Sequence, residues 1–364
     1  MTHIWIRAEE RPNERRVALT PSGVTELIQA GFRVTLEEDP TRAIPLADYP
    51  ACSLAATGSW RNAPKDAIIL GLKELPEDDS PLVHRHIMFG HAYKGQPDGA
   101  RLLKRFERGG GRLYDLEYLT DDTGRRVAAF GYWAGYAGAA VALKCWAAAR
   151  SGALCAPLTG FASAGALQDH IDKDLGTDAR PKVIIIGALG RVGSGARDFC
   201  LAMGSEVTCW DMAQTAKGGP FPEILAHDIF LNCILANAST PVFVPASAAG
   251  VPRALRVIGD IACDPSSAFS PIKVYDCTTS WEHPALRVHE NPMLDVTAID
   301  NLPSLLPRES SEDFAAQLLP SLLGLHDMAQ GVWGKAAACF DEHVSKLGTG
   351  TASLSLQLLP KILK

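Results

Sequence analysis

Short apolar runs alternate with stretches of helical period along the first third of the chain. Residues 4–7 read as a strand. Thr20-Pro21-Ser22 then opens a helix, since a hydroxyl cap followed by proline suits the first helical turn. That helix runs over 23–30 and stops at Gly31, and residues 32–37 alternate as the next strand. The run at 67–72 (AIILGL) is apolar throughout, as a strand buried on both faces must be, and 87–92 is another strand, ending near His91. A helix is predicted over 102–108 and a strand over 112–118. Strand–helix alternation of this kind predicts a mainly parallel sheet with helices on its faces.

A long Gly/Ala-rich apolar stretch follows, at 127–149. It has the length of a membrane span, yet it carries Lys144 and few large apolar side chains. A buried helix, with Gly131, Gly135 and Gly138 admitting other backbone, is the better reading. A polar helix falls within 151–180. A second α/β unit starts at Val183 and runs to about Asn301, and helices are expected over 310–323 and 331–346. The fold class expected is α/β: two Rossmann-like domains with parallel sheets and an interdomain cleft. Residues 1–130 and 320–364 would form a discontinuous substrate-binding domain, and 131–319 the nucleotide domain.

Composition changes this picture little. With 47% hydrophobic and 21% charged residues, the 364-residue chain can bury two cores. A net charge of −6 without any basic stripe argues against nucleic acid. The N-terminus has no basic segment followed by an apolar one, so no signal peptide is expected. Nine scattered cysteines, with no CxxC, suit reduced thiols in the cytoplasm. His84, His86 and His91 have no standard metal-ligand spacing, and no metal is expected.

Residues 183–197 read VIIIGALGRVGSGAR. A buried strand enters a turn bearing Gly187, Gly190 and Gly193, and a helix follows through Arg191 and Val192. Such a turn brings backbone N–H groups and a helix N-terminus to a pyrophosphate. The spacing is GxxGxxG instead of GxGxxG. The next strand, 206–210, ends at Asp211, about two dozen residues after Gly187, near the place of a ribose-binding acid. That carboxylate accepts from a free 2′-OH and repels a 2′-phosphate, so the cofactor expected is NAD. Further strands are predicted at 228–234 and 256–261.

Three charged groups stand at the carboxyl ends of first-domain strands, where open α/β sheets place ligands. They are Arg7, Glu9, Arg11, Arg15 and Arg16; Lys73 and Glu74; and His91 and Lys94, with Glu117, Arg125 and Arg126 close behind. Each alone has a structural explanation as a capped strand end or a solvated loop. Together they suit a polycarboxylate substrate. Arginines hold carboxylates, a lysine beside positive charge can deprotonate an amine, and a histidine can activate water.

The stretches RAEERPNERRVALTP, GLKELP, LVHRHIMFGHAYK, LYDLEYL, GRRVAAFGYWAGYAGAA, IIIGALGRVGSGA, GGPFPEI, NCI and IDNLPSLLPRESSEDF closely resemble the NAD-dependent, lysine-forming saccharopine dehydrogenases. These are kin to alanine dehydrogenase and to the NAD-binding part of transhydrogenase. The resemblance implies the conversion of saccharopine, NAD and water to L-lysine, 2-oxoglutarate and NADH. It implies an acid–base pair at Lys73 and His91, with Glu74 and Glu117 tuning it. Arg16, Lys94 and Arg126 would meet the substrate. Gly187, Gly190, Arg191, Val192, Gly193, Asp211, Asn232, Cys233 and Asp300 would lie on the cofactor side. It also implies a monomer. Val192 stands where fungal members carry a cysteine able to pair with that of NCI, so Cys233 is expected free. Residues 260–284 depart from the fungal pattern. An alanine or opine dehydrogenase, and a non-catalytic NAD-binding regulator, are the competing readings.

Overall fold

A computed structural model describes residues 1–76, 78–93, 97–177 and 179–354. The chain divides into two units, Met1–Ala129 with Ser311–Lys364, and Phe130–Ser310. The C-terminal tail thus joins the first unit from Ser311, earlier than position 320.

Unit 1 contains β1 (His3–Ile6), α1 (Pro21–Gln29), β2 (Arg33–Glu37), β3 (Ser53–Ala55), β4 (Ile68–Leu70), β5 (Arg85–Met88), α2 (Pro97–Gly109) and β6 (Arg112–Asp115). Thr20 caps α1, its hydroxyl accepting from the Gly23 N–H at 3.4 Å, and Gly31 leaves the helix at φ +86°. The six strands are parallel in the order β3-β2-β1-β4-β5-β6. The chain moves outward from β1 in one direction and from β4 in the other. The switch point therefore lies between β1 and β4, where residues following Ile6 and Leu70 emerge side by side.

Two details depart from the sequence pattern. The edge strand β3 is three residues long and exposes Leu54, so it has no alternation to betray it. β5 covers 85–88 instead of 87–92. His86 reads as polar but is buried between the rings of Trp60 and Phe106, at 5.1 and 5.4 Å. The chain leaves the sheet after Met88 and reaches His91 at φ +48°, a backbone state uncommon for any residue but glycine.

Unit 2 contains α3 (Gly131–Arg150), α4 (Ala164–Leu175), β7 (Lys182–Ile186), α5 (Arg191–Ala202), β8 (Glu206–Trp210), α6 (Met212–Thr215), α7 (Pro222–Leu225), β9 (Ile229–Asn232), β10 (Val257–Asp260), β11 (Leu286–Glu290) and β12 (Met293–Thr297). The order is β11-β12-β10-β9-β7-β8. Five strands are parallel, but β11 runs antiparallel to β12. The second sheet is thus mixed where a parallel one was expected. A tight turn at Asn291-Pro292 returns the chain on itself and needs no crossover helix. The switch point here lies between β7 and β9. The helices α8 (Pro307–Leu323) and α9 (Gly331–Leu354) follow, and α9 packs on α2 and β6 in unit 1.

The apolar stretch forms α3, buried in the core of unit 2, with Lys144 ion-paired to Asp174 at 2.6 Å. Among the described residues no helix is long and apolar enough to cross a membrane. α3 crosses α5 in backbone contact. A Cβ on Gly135 would lie 1.8 Å from the Val192 carbonyl oxygen, and one on Gly195 would lie 1.9 Å from that of Tyr132. Helix backbones cannot yield locally as a flexible side chain can. Gly135→Ala and Gly195→Ala should each destabilise the protein by about 1–3 kcal/mol, the usual range for overpacking. Urea unfolding that leaves both variants as stable as the parent would contradict this crossing.

Candidate active site

The carboxyl ends of β4, β5 and β6 deliver four charged groups to one edge of the unit 1 sheet. Lys73 and Glu74 follow β4, His91 follows β5 and Glu117 follows β6. The His91 ring lies between two carboxylates, with Nε2 3.3 Å from Glu74 Oε1 and Nδ1 3.4 Å from Glu117 Oε2. Glu74 also faces Arg11 at 3.7 Å. A cavity of about 310 Å³ opens beside them, lined by Glu74, Gly90, His91, Asp98, Arg101 and Arg105.

The two proposed proton carriers are tuned in opposite directions. Burial lowers the Lys73 pKa, and the Arg16 and Arg11 guanidiniums lower it further against the opposing pull of Glu74 and Glu14. The His91 pKa is raised, chiefly by its hydrogen bond with Glu117. Glu74 reinforces that effect, while burial and Lys73 oppose it. The amine of Lys73 is thus easier to deprotonate than a free lysine, and the imidazole of His91 is easier to protonate than a free histidine.

The cationic residues separate on folding. Arg16 is buried and binds Glu14 through two side-chain bonds, Nε to Oε1 at 2.8 Å and Nη2 to Oε2 at 2.6 Å. Burial would raise the Glu14 pKa, yet the charge and hydrogen bonds of Arg16 hold it below the ordinary value. The Arg16 guanidinium also sets its charge beside Lys73. Arg126 is exposed and bridges to Thr120 across a short antiparallel turn. Arg15 donates to the Thr41 carbonyl at 3.0 Å. Lys94 lies outside the described residues.

In unit 2 the glycines of the turn have different reasons to be there. Gly187 has φ +88°. A Cβ on Gly193 would lie 2.0 Å from the Gly187 carbonyl oxygen, so strand and helix demand its absence. Gly190, at φ −75°, would meet nothing closer than 3.4 Å. Among the described residues no packing requires glycine at 190, whereas a pyrophosphate approaching the backbone would. Arg191 opens α5 exposed to solvent, and Val192 turns toward Gly131. Asp211 ends β8 and caps α6. Its two oxygens accept the Leu189 and Met212 N–H groups at 3.0 and 2.9 Å, the Gln214 N–H closes a capping box on the same carboxylate, and one acceptor site remains for a ribose hydroxyl. A cleft of about 530 Å³ is lined by Gly187, Gly190, Asp211, Thr215, Cys233 and Phe243.

Across the switch point, Asn232 donates from Nδ2 to Asp260 Oδ1 at 2.9 Å, while its own Oδ1 is buried without a partner. Tyr275 donates to the other Asp260 oxygen at 2.5 Å. Cys233 is a free thiol whose pKa burial pushes up. Asp300 is exposed, and its charge, after burial, helps push the Cys263 thiol up to about 12. An open backbone cradle, an acid at the ribose position and an orphaned amide oxygen all fit a dinucleotide. Among the described residues no three His, Cys, Asp or Glu side chains are grouped to hold a metal.

One residue at the unit 1 site was not legible in the sequence. Asp115, the last residue of β6, is buried and accepts the Glu117 N–H at 2.9 Å, while its Oδ2 has no partner. Burial pushes its pKa up to about 6, against the pull of the Glu117 amide and His91. In LYDLEYL a lone aspartate reads as a turn residue, and nothing in the pattern marks it as buried. A carboxyl raised in the folded state binds its proton more tightly there than when unfolded. The protein therefore loses stability as pH rises from about 4 to about 6. Asp115→Asn should raise stability by about 1–3 kcal/mol at pH 8 and by little at pH 4. Equal urea midpoints for parent and variant at pH 8 would contradict the raised value.

Residues 5–137 match the family described as alanine dehydrogenase/PNT, N-terminal domain. The L-lysine-forming, NAD-dependent saccharopine dehydrogenase of Schizosaccharomyces pombe is 43% identical, covering 95% of this chain and 99% of the relative. The enzyme of that name from Emericella nidulans is 45% identical, covering 94% and 98%. Among solved structures, an L-alanine dehydrogenase superposes with a TM-score of 0.67 at 18% identity, over 96% of this chain and 99% of that one. The last likeness shows the fold, and the near-complete matches to the first two show the family: the chain belongs to the NAD-dependent, L-lysine-forming saccharopine dehydrogenases.

Proposed function

We propose that the protein oxidises saccharopine with NAD and water to L-lysine, 2-oxoglutarate and NADH, and runs the reverse reaction. The observation that carries this reading is the strand-end group Lys73, Glu74, His91 and Glu117, in which a lysine is tuned downward beside a histidine tuned upward. NAD, when bound, supplies the acceptor for a hydride. Gly187, Gly190 and Gly193, with the start of α5 at Arg191 and Val192, would hold its pyrophosphate. Asp211 would hold the adenosine ribose, and Asn232, Cys233 and Asp300 would lie toward the rest of the dinucleotide.

The substrate is a secondary amine between two amino-acid carbons. An ammonium has no lone pair to drive hydride departure, so the amine proton must leave first, and Lys73 takes it. Loss of hydride from the adjoining carbon leaves a protonated imine. His91 removes a proton from water as it adds to the imine carbon and returns it to nitrogen as the carbinolamine collapses, the carbinolamine hydroxyl losing its proton to solvent. Glu74 and Glu117 stabilise the imidazolium between those two transfers. The carboxylates of saccharopine call for cations, and we assign Arg16, Arg126 and Lys94 to contact them, with Arg16 also acting on Lys73. A monomer in the cytoplasm is the form we assign, nine unpaired cysteines suiting a reducing compartment. Sedimentation tests the first part.

Purified protein with saccharopine and NAD should release NADH, lysine and 2-oxoglutarate in equal amounts. Turnover of alanine in preference to saccharopine would replace this reading by an alanine dehydrogenase. General acid–base groups contribute about 10²–10⁴-fold, so Lys73→Met and His91→Gln should each lower kcat at least about tenfold with NADH affinity little changed. Wild-type rates in both would place the chemistry elsewhere. Asp211→Ala should weaken NADH binding by roughly ten- to a hundredfold, the worth of a charge-assisted hydrogen bond, and relax discrimination against NADPH. Unchanged affinity, measured by nucleotide fluorescence, would remove Asp211 from the ribose site.

A further inference from the structure

Arg7 and Glu9 take no part in the chemistry above, yet both side chains are buried, at 0% and 5% exposure. β1 and β4 pair in parallel with Ile6 opposite Leu70, so residues 7–9 run beside 71–73. The Glu9 carboxylate spans that gap. Its Oε1 accepts the Leu72 N–H at 2.7 Å and its Oε2 accepts the Lys73 N–H at 2.9 Å. Arg7 Nη2 donates to the Lys73 carbonyl, and Nη1 lies 3.5 Å from Glu9 Oε2. Both backbone polar groups of Lys73 are thus held by side chains and not by a sheet ladder.

The clamp is itself anchored. The Ala8 N–H, between the two residues, donates to Glu37 Oε2 at 3.0 Å, and the same buried carboxylate takes the Trp60 N–H at 2.6 Å and the Gly58 N–H at 2.9 Å. Room for the Arg7 guanidinium exists because residue 71 is glycine. A Cβ there would lie 2.3 Å from Arg7 Nε. A buried ion pair is a costly way to end a strand, and apolar residues of similar size often replace one without loss of stability. What this pair provides in return is a fixed backbone at a single position.

We propose that Glu9 and Arg7 are positioning residues for Lys73, clamping its peptide groups so that its amine is presented to the substrate. The proposal rests on Lys73 acting as the base, as argued above. Lys73 is faced by Arg11, Glu14 and Arg16 from the segment after β1, by Glu74 beside it and by His91 from the loop after β5. Loosening the clamp would draw the amine out of this buried, cationic setting toward the ordinary lysine range.

The test is steady-state saccharopine oxidation across pH by Glu9→Gln, Glu9→Asp, Lys73→Met and the Glu9→Gln/Lys73→Met double variant. Gln keeps the shape but turns an NH₂ toward one of the two amides. A misplacement of about 1 Å can cost about 10²-fold, so kcat should fall at least about tenfold in Glu9→Gln. KM for saccharopine should change little. The pH at which activity rises should move upward, and Glu9→Asp should lie between parent and Gln. A loss of folded protein alone would scale the rate at every pH and leave that limb in place. The double variant should be no slower than Lys73→Met. Should Glu9→Gln fail to fold, Gly71→Ala displaces Arg7 instead and should show the same fall and the same upward shift. Wild-type kcat and pH limb in Glu9→Gln, or in Gly71→Ala where that variant replaces it, would overturn the proposal while leaving Lys73 as the base, provided Lys73→Met is impaired. An equal loss from Glu9→Gln in both backgrounds would also overturn it. An unimpaired Lys73→Met would overturn the assignment of the base, and the clamp with it.

Discussion

The chemistry of unit 1 depends on the parallel pairing of β1 with β4. Parallel strands deliver their carboxyl ends to one edge, and at a topological switch point the two emerging chains diverge and leave space between them. With Ile6 opposite Leu70, the segment from Arg7 to Arg16 emerges beside the one from Gly71 to Glu74. β5 and β6 add His91 and Glu117 to that edge in register. A one-residue slip of β4 would exchange the faces of Lys73 and Glu74 and separate Lys73 from Glu9. Unit 2 repeats the arrangement with β7 and β9, where Ile186 stands opposite Asn232 and the glycine turn emerges beside Cys233.

Charge burial gives the edge its reactivity. Glu14 and Glu37 are buried with donors on their oxygens, which offsets their desolvation. Asp115 is not fully compensated and carries its proton to a higher pH than an exposed aspartate. Lys73 and His91 lie between these limits. Burial and guanidinium charge move the lysine down, and two carboxylates move the histidine up. Their proton affinities therefore approach one another, as a reaction that must remove, store and return protons at one site requires.

The parts of this arrangement written in short-range patterns were legible in the sequence. Apolar runs located β1, β2, β4 and β7 to β10, and charged residues directly after them marked the strand-end edge. Long motifs marked Lys73 and His91 as the candidate pair. The rest depends on contacts distant in sequence. β3 is too short and exposed to show a period, and the β11–β12 hairpin, which follows the departing segment 260–284, was not predicted. β5 was displaced because a histidine packed among aromatic rings looks polar in one dimension. The pairing of Arg16 with Glu14 was not legible either, since two neighbouring charges in a loop do not reveal that both are buried. Glu9 and Asp115 look like ordinary loop and turn residues, and only the neighbouring strands reveal what their carboxylates hold.

The electrostatic account turns on His91, whose elevated proton affinity comes first from Glu117. Histidine ring resonances followed by NMR through a pH titration measure it directly, with His91→Gln assigning the signal. The account predicts that His91 titrates above the ordinary histidine value and falls toward it in Glu117→Gln. Titration at or below the ordinary value in the parent, unchanged in that variant, would contradict it.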